Sequence, residues 1–262
     1  MLWSLAEHIS QKALLEGELF PLISEDTLVE QDGIVYVGNV ITGNMKKKHS
    51  PDITQHDPFL PPYNPDIYLG DMGTEHVCLL NKFPITVPHI LVCAKHYIPQ
   101  TSPLSQADFS AWVTVFSHPD VLGFFNSGHI AGSSQMHRHM QLVRSQIPLE
   151  SQIVARRLPF KHVLSCFESL DAEVLYQAYI SAMQQLDLYT DTIIDGYPEC
   201  HPYNILLTQR WMLVIPRTKN QVEAISGHGI NFSGRFLVSS ELELAWLKEF
   251  GFIHFLAECS VC

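Results

Sequence analysis

The chain has 262 residues, 46% of them apolar, and it carries a formal net charge of −11. A nucleic-acid backbone requires a basic protein face, so this charge excludes nucleic acid as the expected partner. The sequence contains no uninterrupted apolar run of about 18 residues and no signal-peptide pattern, so we expect a cytoplasmic protein without a membrane partner. No Pro/Gly/Ser-rich linker divides the chain and no repeat is obvious, which predicts a single domain over residues 1–262.

The apolar spacing predicts strands that outnumber the helices and mostly follow one another through short links. In chain order the predicted elements are helix 3–16, strand 34–37, strands 77–80 and 90–93, a helix that begins after Ser105, strands 121–125 and 137–143, helix 172–188, a hairpin of strands 205–208 and 211–215, strand 236–238 and helix 242–250. This order is typical of an α+β domain built on an antiparallel sheet.

A long, polar, proline-rich loop from Ile41 to Pro65 precedes the central strands and contains Lys46, Lys47 and Lys48. A lysine run is usually a solvated surface feature. Loops longer than about 15 residues in compact domains are usually functional or mobile, however, and this favours a functional interpretation slightly.

The stretch from Asn126 to Gln141 carries the densest candidate chemistry. Its first half is rich in Gly and Ser, the composition of a loop whose backbone can approach an anion closely. Its second half is predicted as a strand, on which His137, His139 and Gln141 share one face because alternate side chains point the same way.

Three interpretations of this stretch compete. The histidines could be half-buried structural residues, or His137 and His139 could bind zinc with His129 as a third ligand. An imidazole could instead attack phosphorus while the loop holds the substrate, and the spacing favours this over metal binding. Cys259 and Cys262 have C-x-x-C spacing but no second pair, so we interpret them as reduced and incidental rather than as metal ligands.

The run Gly132-Ser-Ser-Gln-Met-His-Arg-His-Met-Gln-Leu resembles the signature of the diadenosine tetraphosphate (Ap4A) phosphorylases, or ATP adenylyltransferases. This family belongs to the histidine-triad and galactose-1-phosphate uridylyltransferase superfamily. Segments that begin at His76, Gln100 and Pro202 also resemble family segments, in the family's order, so the resemblance covers nearly the whole chain. It implies a histidine-triad-like (HIT-like) α+β fold, an antiparallel β-sheet wrapped by helices.

The resemblance also implies roles for the motif. His139 would be the nucleophile, and His137 would orient its ring through a hydrogen bond. Gly132, Ser133, Ser134 and Gln135 would hold the phosphates. Gln141 stands where the hydrolases of the superfamily carry a third histidine, and an amide does not readily donate a proton to a leaving group. This favours transfer to phosphate over hydrolysis.

The remaining substrate contacts follow from the resemblance residue by residue. Asn81 and Lys82 would contact the nucleotide, Asn126 the phosphate or ribose, Lys48 or Lys47 the distal phosphates, and His228, Gly229, Ile230, Arg235 and Ser239 other parts of the substrate. Arg235 and Ser239 replace a Met and a Lys of the fungal pattern, and Arg235 could supply the displaced positive charge. His76 and His89 are interpreted as structural, and His129 has no assigned role.

The expected function is phosphorolysis of diadenosine tetraphosphate by inorganic phosphate to ADP and ATP, through an adenylyl-histidine intermediate. No tightly bound cofactor is expected, and a divalent cation such as Mg²⁺ would accompany the polyphosphate. Alternatives are adenylyl transfer to or from sulfate, a nucleotide-binding sensor without turnover, and the zinc-binding protein considered above.

Overall fold

A computed structural model describes residues 2–22, 26–41 and 57–262 of the chain. Within these ranges no helix is long and apolar enough to cross a membrane. The α-helices are α1 (Leu2–Glu16), α2 (Gln106–Val113), α3 (Glu150–Val154), α4 (Ala172–Gln185), α5 (Glu241–Phe250) and α6 (Phe252–Glu258), with one 3₁₀ helix at Gly229–Ser233. The strands are β1 (Asp26–Gln31), β2 (Ile34–Val40), β3 (Tyr68–Met72), β4 (His76–Leu80), β5 (His89–Ala94), β6 (Val121–Asn126), β7 (His139–Arg144), β8 (Val163–Cys166), β9 (Tyr189–Ile194), β10 (Tyr197–Cys200), β11 (Tyr203–Leu207), β12 (Trp211–Pro216), β13 (Gln221–Val222), β14 (Ile225–Ser226) and β15 (Arg235–Val238).

Eight strands form the main sheet in the order β3-β4-β5-β7-β6-β11-β12-β8, and each neighbouring pair is antiparallel. The predicted antiparallel sheet is thereby confirmed. Strand β7 lies between β5 and β6, so the motif strand occupies the interior of the sheet. A smaller sheet has the order β1-β2-β15, in which β15 runs parallel to β2.

Both faces of the main sheet are covered. Helices α1, α2 and α4 pack on one face, where Trp112 and Tyr179 are fully buried. The smaller sheet and the helices α5 and α6 cover the other face through Phe252 and Phe255. Along β7 the side chains of Met140 and Leu142 enter the first core, and the alternation of a strand therefore directs His139 and Gln141 to the opposite face.

Several element boundaries differ from the prediction. The motif strand begins at His139 rather than at 137, and His137 forms only an isolated bridge with Pro99. Helix α4 ends at Gln185, three residues early, and Val174 of its predicted apolar face is exposed. Helix α6 was not predicted, because it begins directly after Gly251, a residue that ends helices. The single-domain prediction stays a prediction.

Candidate active site

A cavity of about 410 Å³ lies between the main sheet and the segment that contains the 3₁₀ helix and β15. Twelve of the predicted site residues line it, namely Asn81, Lys82, Asn126, Gly132, Ser133, Ser134, Gln135, His139, Gln141, His228, Ile230 and Arg235. Residues far apart in the chain thus meet in one place, although their chemical roles stay predictions. Lys47 and Lys48 lie outside the described residues.

His139 is buried, and the bonding of its ring defines which nitrogen carries the proton. Nδ1 lies 2.8 Å from the main-chain carbonyl oxygen of His137, which can only accept a hydrogen bond, so Nδ1 carries the hydrogen. Nε2 has no partner in the described part of the chain, and the residue lines the cavity. Burial lowers the pKa of His139 to about 4, against the hydrogen bond to His137, which raises it. The ring is therefore neutral at pH 7, with a free lone pair on Nε2.

His137 contacts the ring of His139 through its main-chain carbonyl oxygen. Its ring does not line the cavity: Nδ1 contacts Asp57 Oδ2 at 2.7 Å and Nε2 contacts the carbonyl oxygen of Ala94 at 2.8 Å. The hydrogen bond that orients His139 comes from the main chain of His137, not from its imidazole. The regular strand starts only at His139, but the ring of Phe59 packs against both imidazoles, with centroids 5.8 Å from His137 and 5.0 Å from His139, so the two rings lie on the same side of the chain.

Gln100, to which no role was assigned, holds the main chain on both sides of the nucleophile. Its Oε1 accepts from the N–H of His139 at 2.8 Å, while its Nε2 donates to the carbonyl oxygens of His139 and Asn126 at 3.1 and 2.9 Å. The side chain is fully buried, so each bond forms away from competing water. One amide thus fixes β7 relative to the end of β6.

A second buried network fixes the loop that follows β6. Asn204 Nδ2 donates to Asn126 Oδ1 and to the carbonyl oxygen of Ala131, both at 2.9 Å. Arg217 donates to Asn204 Oδ1 and, at 2.9 Å, to the carbonyl oxygen of Gly227. Burial lowers the pKa of Arg217 to about 10, so its guanidinium stays charged at neutral pH. Asn204 lies in one of the segments that resemble the family, and its polar side chain in an otherwise apolar strand was the available signal.

The glycine-rich loop is closely packed at Gly132. Its φ of +93° favours glycine, and a Cβ there would come within 2.9 Å of the main chain and the ring of His228. Both donors of Ser133 are used inside the loop, by the carbonyl oxygens of Gly128 and Gln135. The main-chain N–H groups of Ser134 and Gln135 have no partner among the residues described, so these two are the groups able to bind an anion.

Among the described residues, two cations line the cavity, namely Arg235 on the wall opposite the sheet and Lys82 shortly after β4. Arg235 forms an ion pair with Asp26 at 3.1 Å and donates to Asn39 Oδ1 at 3.0 Å. Burial raises the pKa of Asp26, but the bonds from Asn39 and Arg235 outweigh this and lower it overall. Lys82 is exposed at the cavity, with its ammonium 5.5 Å from the centre of the Phe20 ring.

Two further predicted contacts lie away from the cavity. Ser239 is exposed, and both its N–H and its hydroxyl bond to Glu243, close to the start of α5. Gly229 is buried, and its N–H donates to Asn126 Oδ1 at 3.1 Å. The resemblance placed both near the substrate, and residues close to each of them in the chain, such as Ile230 and Leu237, do line the cavity.

The described residues contain no group of three His, Cys, Asp or Glu side chains placed to hold a metal ion. In particular, both ring nitrogens of His137 have other partners, and His129 Nε2 lies 2.8 Å from Asn220 Nδ2. The zinc site that the sequence left open, with His137, His139 and His129 as ligands, does not form in this arrangement.

Comparison with known proteins gives matches along the whole chain. A family described as "Ap4A phosphorylase N-terminal domain" matches residues 1–166, and one described as "ATP adenylyltransferase C-terminal domain" matches residues 156–262. Diadenosine 5',5'''-P1,P4-tetraphosphate phosphorylase 2 of Saccharomyces cerevisiae is 29% identical over 204 residues, which are 64% of this chain and 63% of that protein. Protein APA1 of the same yeast is 28% identical over 174 residues, 54% of either chain. The match therefore spans less than two thirds of the length of each yeast protein.

Crystal structures of the yeast Ap4A phosphorylase Apa2 share the fold. The free enzyme has a TM-score of 0.80 and 22% identity, with 99% of this chain and 94% of that chain covered. Its complex with Ap4A gives the same TM-score and identity and covers 97% of that chain. This agreement confirms the predicted HIT-like α+β fold. Because the first family match spans more than half of the chain, the protein belongs to the Ap4A phosphorylase family.

Proposed function

We propose that the protein catalyses the phosphorolysis of diadenosine tetraphosphate, in which inorganic phosphate and the dinucleotide give ADP and ATP. In the first step His139 Nε2 forms a bond to an α-phosphorus, and the bond from that phosphorus to the bridging oxygen breaks as ATP leaves. In the second step a phosphate oxygen bonds to the same phosphorus, the phosphorus–nitrogen bond breaks, and ADP leaves. The Nδ1 atom of His139 keeps its proton throughout and donates a hydrogen bond to the carbonyl oxygen of His137.

The observation that carries this proposal is a neutral, buried His139 whose Nε2 has no partner among the described residues, in a cavity also lined by Ser134 and Gln135, whose main-chain N–H groups have none there either. An imidazole attacks only through an unprotonated nitrogen, and the lowered pKa of His139 keeps that nitrogen unprotonated at pH 7. The developing charge on the transferred phosphoryl group needs donors that are already in place, and the open N–H groups of Ser134 and Gln135 are such donors.

Transfer to phosphate rather than to water is supported by the residue next to the nucleophile on the same face. Gln141 bears an amide, which can hold a phosphate oxygen but cannot serve as a general acid for a leaving group. A terminal phosphate leaves without protonation more readily than an alcohol does. The site therefore suits exchange between phosphorylated partners.

The ligands proposed are small molecules, a dinucleoside polyphosphate and inorganic phosphate. The yeast relative whose complex contains Ap4A supports this choice. A divalent cation such as Mg²⁺ would arrive with the polyphosphate, where Lys82 and Arg235 supply the protein's own positive charge at the cavity. Lys47 or Lys48 would neutralise the distal phosphates. A cytoplasmic location stays a prediction.

The test is incubation with diadenosine tetraphosphate, with and without phosphate, followed by separation of the products. ADP and ATP should appear in equal amounts and only when phosphate is present. Abundant AMP in phosphate-free buffer would identify a hydrolase instead. Replacement of phosphate by sulfate in a third sample distinguishes adenylyl transfer to sulfate, and tight binding without any product would identify a sensor.

The covalent step can be tested separately when phosphate is withheld. Label from the adenosine α-phosphate should stay with the protein in alkali and leave it in acid, because a phosphorus–nitrogen bond is acid-labile. An acyl phosphate on Asp or Glu would show the reverse stability. Label that resists acid would therefore contradict a histidine intermediate.

A further inference from the structure

A chain of side chains at the cavity floor leads from a main-chain N–H to Gln141. The N–H of Phe83 donates to Asn81 Oδ1 at 3.0 Å, which fixes the orientation of that amide. The other end of the amide, Nδ2, lies 3.2 Å from His89 Nδ1. His89 Nε2 in turn lies 3.1 Å from Gln141 Oε1.

The donors and acceptors of this chain can be assigned from one end to the other. Asn81 Nδ2 carries only hydrogens, so His89 Nδ1 must accept, and the proton of the ring then lies on Nε2. That N–H donates to Gln141 Oε1. The oxygen of the Gln141 amide is therefore occupied by His89, and its NH2 group is left to contact a ligand. This NH2 group has no hydrogen-bond partner in the described ranges.

The surroundings of His89 keep its ring neutral. The side chain is 3% exposed, and burial lowers its pKa to about 3, despite the bond to Gln141, which raises it. The ring of Phe124 packs against it with centroids 5.7 Å apart. A cationic ring would also direct an N–H at the NH2 group of Asn81. The neighbouring His139 also lowers the pKa of His89, because two positive rings would repel each other.

We propose that His89 is a positioning residue, which holds the amide of Gln141 with its NH2 group towards the reacting phosphoryl group. His139 and Gln141 lie on the same face of β7, because they are two residues apart in a strand. An amide can enter a site by either end. The oxygen end would repel the phosphoryl oxygens, whereas the NH2 end donates to them as they gain charge. His89 removes this ambiguity, since its Nε2–H can bond only to the oxygen end.

This inference rests on the proposed phosphorolysis, and it is tested by a double-mutant cycle of His89→Leu and Gln141→Leu. Leucine fills much of the imidazole volume but cannot donate to Gln141. We expect His89→Leu to lower kcat by about 10- to 100-fold and to change KM by less than about 3-fold, because it weakens a hydrogen bond made to charge in the transition state. In the Gln141→Leu background the same change should alter kcat by less than about 2-fold.

The conservative variant His89→Gln provides the matched control, since its Nε2 can reach the place of the imidazole Nε2. It should recover most of the lost kcat. Thermal unfolding of all variants shows whether the fold is retained. Equal fold-losses of kcat in both backgrounds, or an unchanged kcat in His89→Leu, would overturn the proposal.

A measurement without substrate separates this proposal from the proposed function. Nitrogen-15 NMR of the histidine rings should show His89 neutral with its hydrogen on Nε2 at pH 7, and the signal is identified by its loss in His89→Gln. A hydrogen on Nδ1, or a cationic ring, would overturn the role of His89 whatever the activity. If the wild-type protein shows the expected tautomer but does not turn over the tetraphosphate, only the proposed function fails.

Discussion

The two walls of the cavity are held in different ways. On the sheet wall, Gln100 and Asn204 fix His139 and Asn126 through buried amide hydrogen bonds. On the opposite wall, Arg235 is held by Asp26, whose side chain is 51% exposed. Exposed ion pairs contribute about 0–1 kcal/mol, while an unsatisfied buried polar group costs about 1–3 kcal/mol. The sheet wall is therefore the more rigid of the two.

This difference suggests a division of labour between the walls. A nucleophile and its oxyanion donors must be in place before the reaction, so they belong where the geometry cannot relax. Charges that attract a polyphosphate can act across water and tolerate movement. We expect substitutions behind the sheet wall to affect kcat and stability, and those on the opposite wall to affect KM.

The largest effect is expected from His139→Gly, which removes the attacking nitrogen. Adenylyl labelling should disappear and phosphorolysis should fall on the order of 10⁴-fold or more, as removal of a nucleophile does in other covalent enzymes. The variant should also contain a hole the size of an imidazole. A preformed adenosine phosphoroimidazolide could enter it and, with phosphate, should yield ADP, which is measured by chromatography.

His137→Gly is the control for this variant. It keeps the carbonyl oxygen that bonds to His139 Nδ1, so labelling of His139 should persist and the phosphoroimidazolide should give no rescue. Because the His137→Gly variant lacks a buried ring, its free energy of unfolding should be lower than that of the wild-type protein. Labelling that persists in His139→Gly would show that another residue is the nucleophile.

The next largest effect is expected from Gln100→Leu. The change leaves the N–H of His139 and two carbonyl oxygens without their partner in a buried place. We expect a loss of about 2–4 kcal/mol in the free energy of unfolding and a fall in kcat of roughly 100-fold. Urea unfolding and steady-state kinetics measure the two. Gln185→Leu, on the exposed end of α4, is the matched control and should change neither.

Stability should also depend on pH through the buried rings of the sheet wall. The pKa values of His139 and His89 are lowered to about 4 and about 3, while an unfolded histidine titrates near pH 6.5. Below about pH 6.5 the unfolded chain binds protons that the folded one does not, so the free energy of unfolding falls as the pH falls towards 4. Each ring should account for about 2 kcal/mol between pH 7 and 5.

Urea unfolding at pH 7, 6 and 5 measures this dependence. The variant His89→Gln lacks one of the two groups and should show about half of the slope that the rings cause. A free energy of unfolding that does not change between pH 7 and 5 would mean that His139 and His89 bind protons in the folded protein as readily as in the unfolded chain. The rigidity argued above for the sheet wall would then be wrong.

The sequence could predict the contacts that local patterns indicate, but not those between residues far apart in the chain. Alternation along a strand and the resemblance were enough to place His139 and Gln141 together, because both are local patterns. Gln100 and Asn204 lie in segments that resemble the family, but no local pattern indicates what they contact, since their partners are 39 and 78 residues away in the chain. The pairing of Arg235 with Asp26 spans 209 residues and depends on the parallel pair of β15 and β2. His137 shows the limit of local reasoning, because its ring is held by Asp57 and by the carbonyl oxygen of Ala94, which are 80 and 43 residues away in the chain.

The smallest effect is expected from Lys82→Ala, which removes an exposed cation that lies shortly after β4. The ammonium is exposed at the cavity and acts on a polyphosphate through water, so its loss should raise KM for the tetraphosphate about 3- to 10-fold and leave kcat within about 2-fold. Because exposed charges are screened by ions, the effect on KM should shrink when the salt is raised from 0.05 to about 0.5 M. Lys12→Ala, on α1 and paired with Asp66, removes the same charge away from the cavity and should change neither constant. A fall in kcat as large as that of Gln100→Leu would mean that this exposed charge takes part in the chemical step, and the separation of buried groups that set kcat from exposed charges that set KM would not hold.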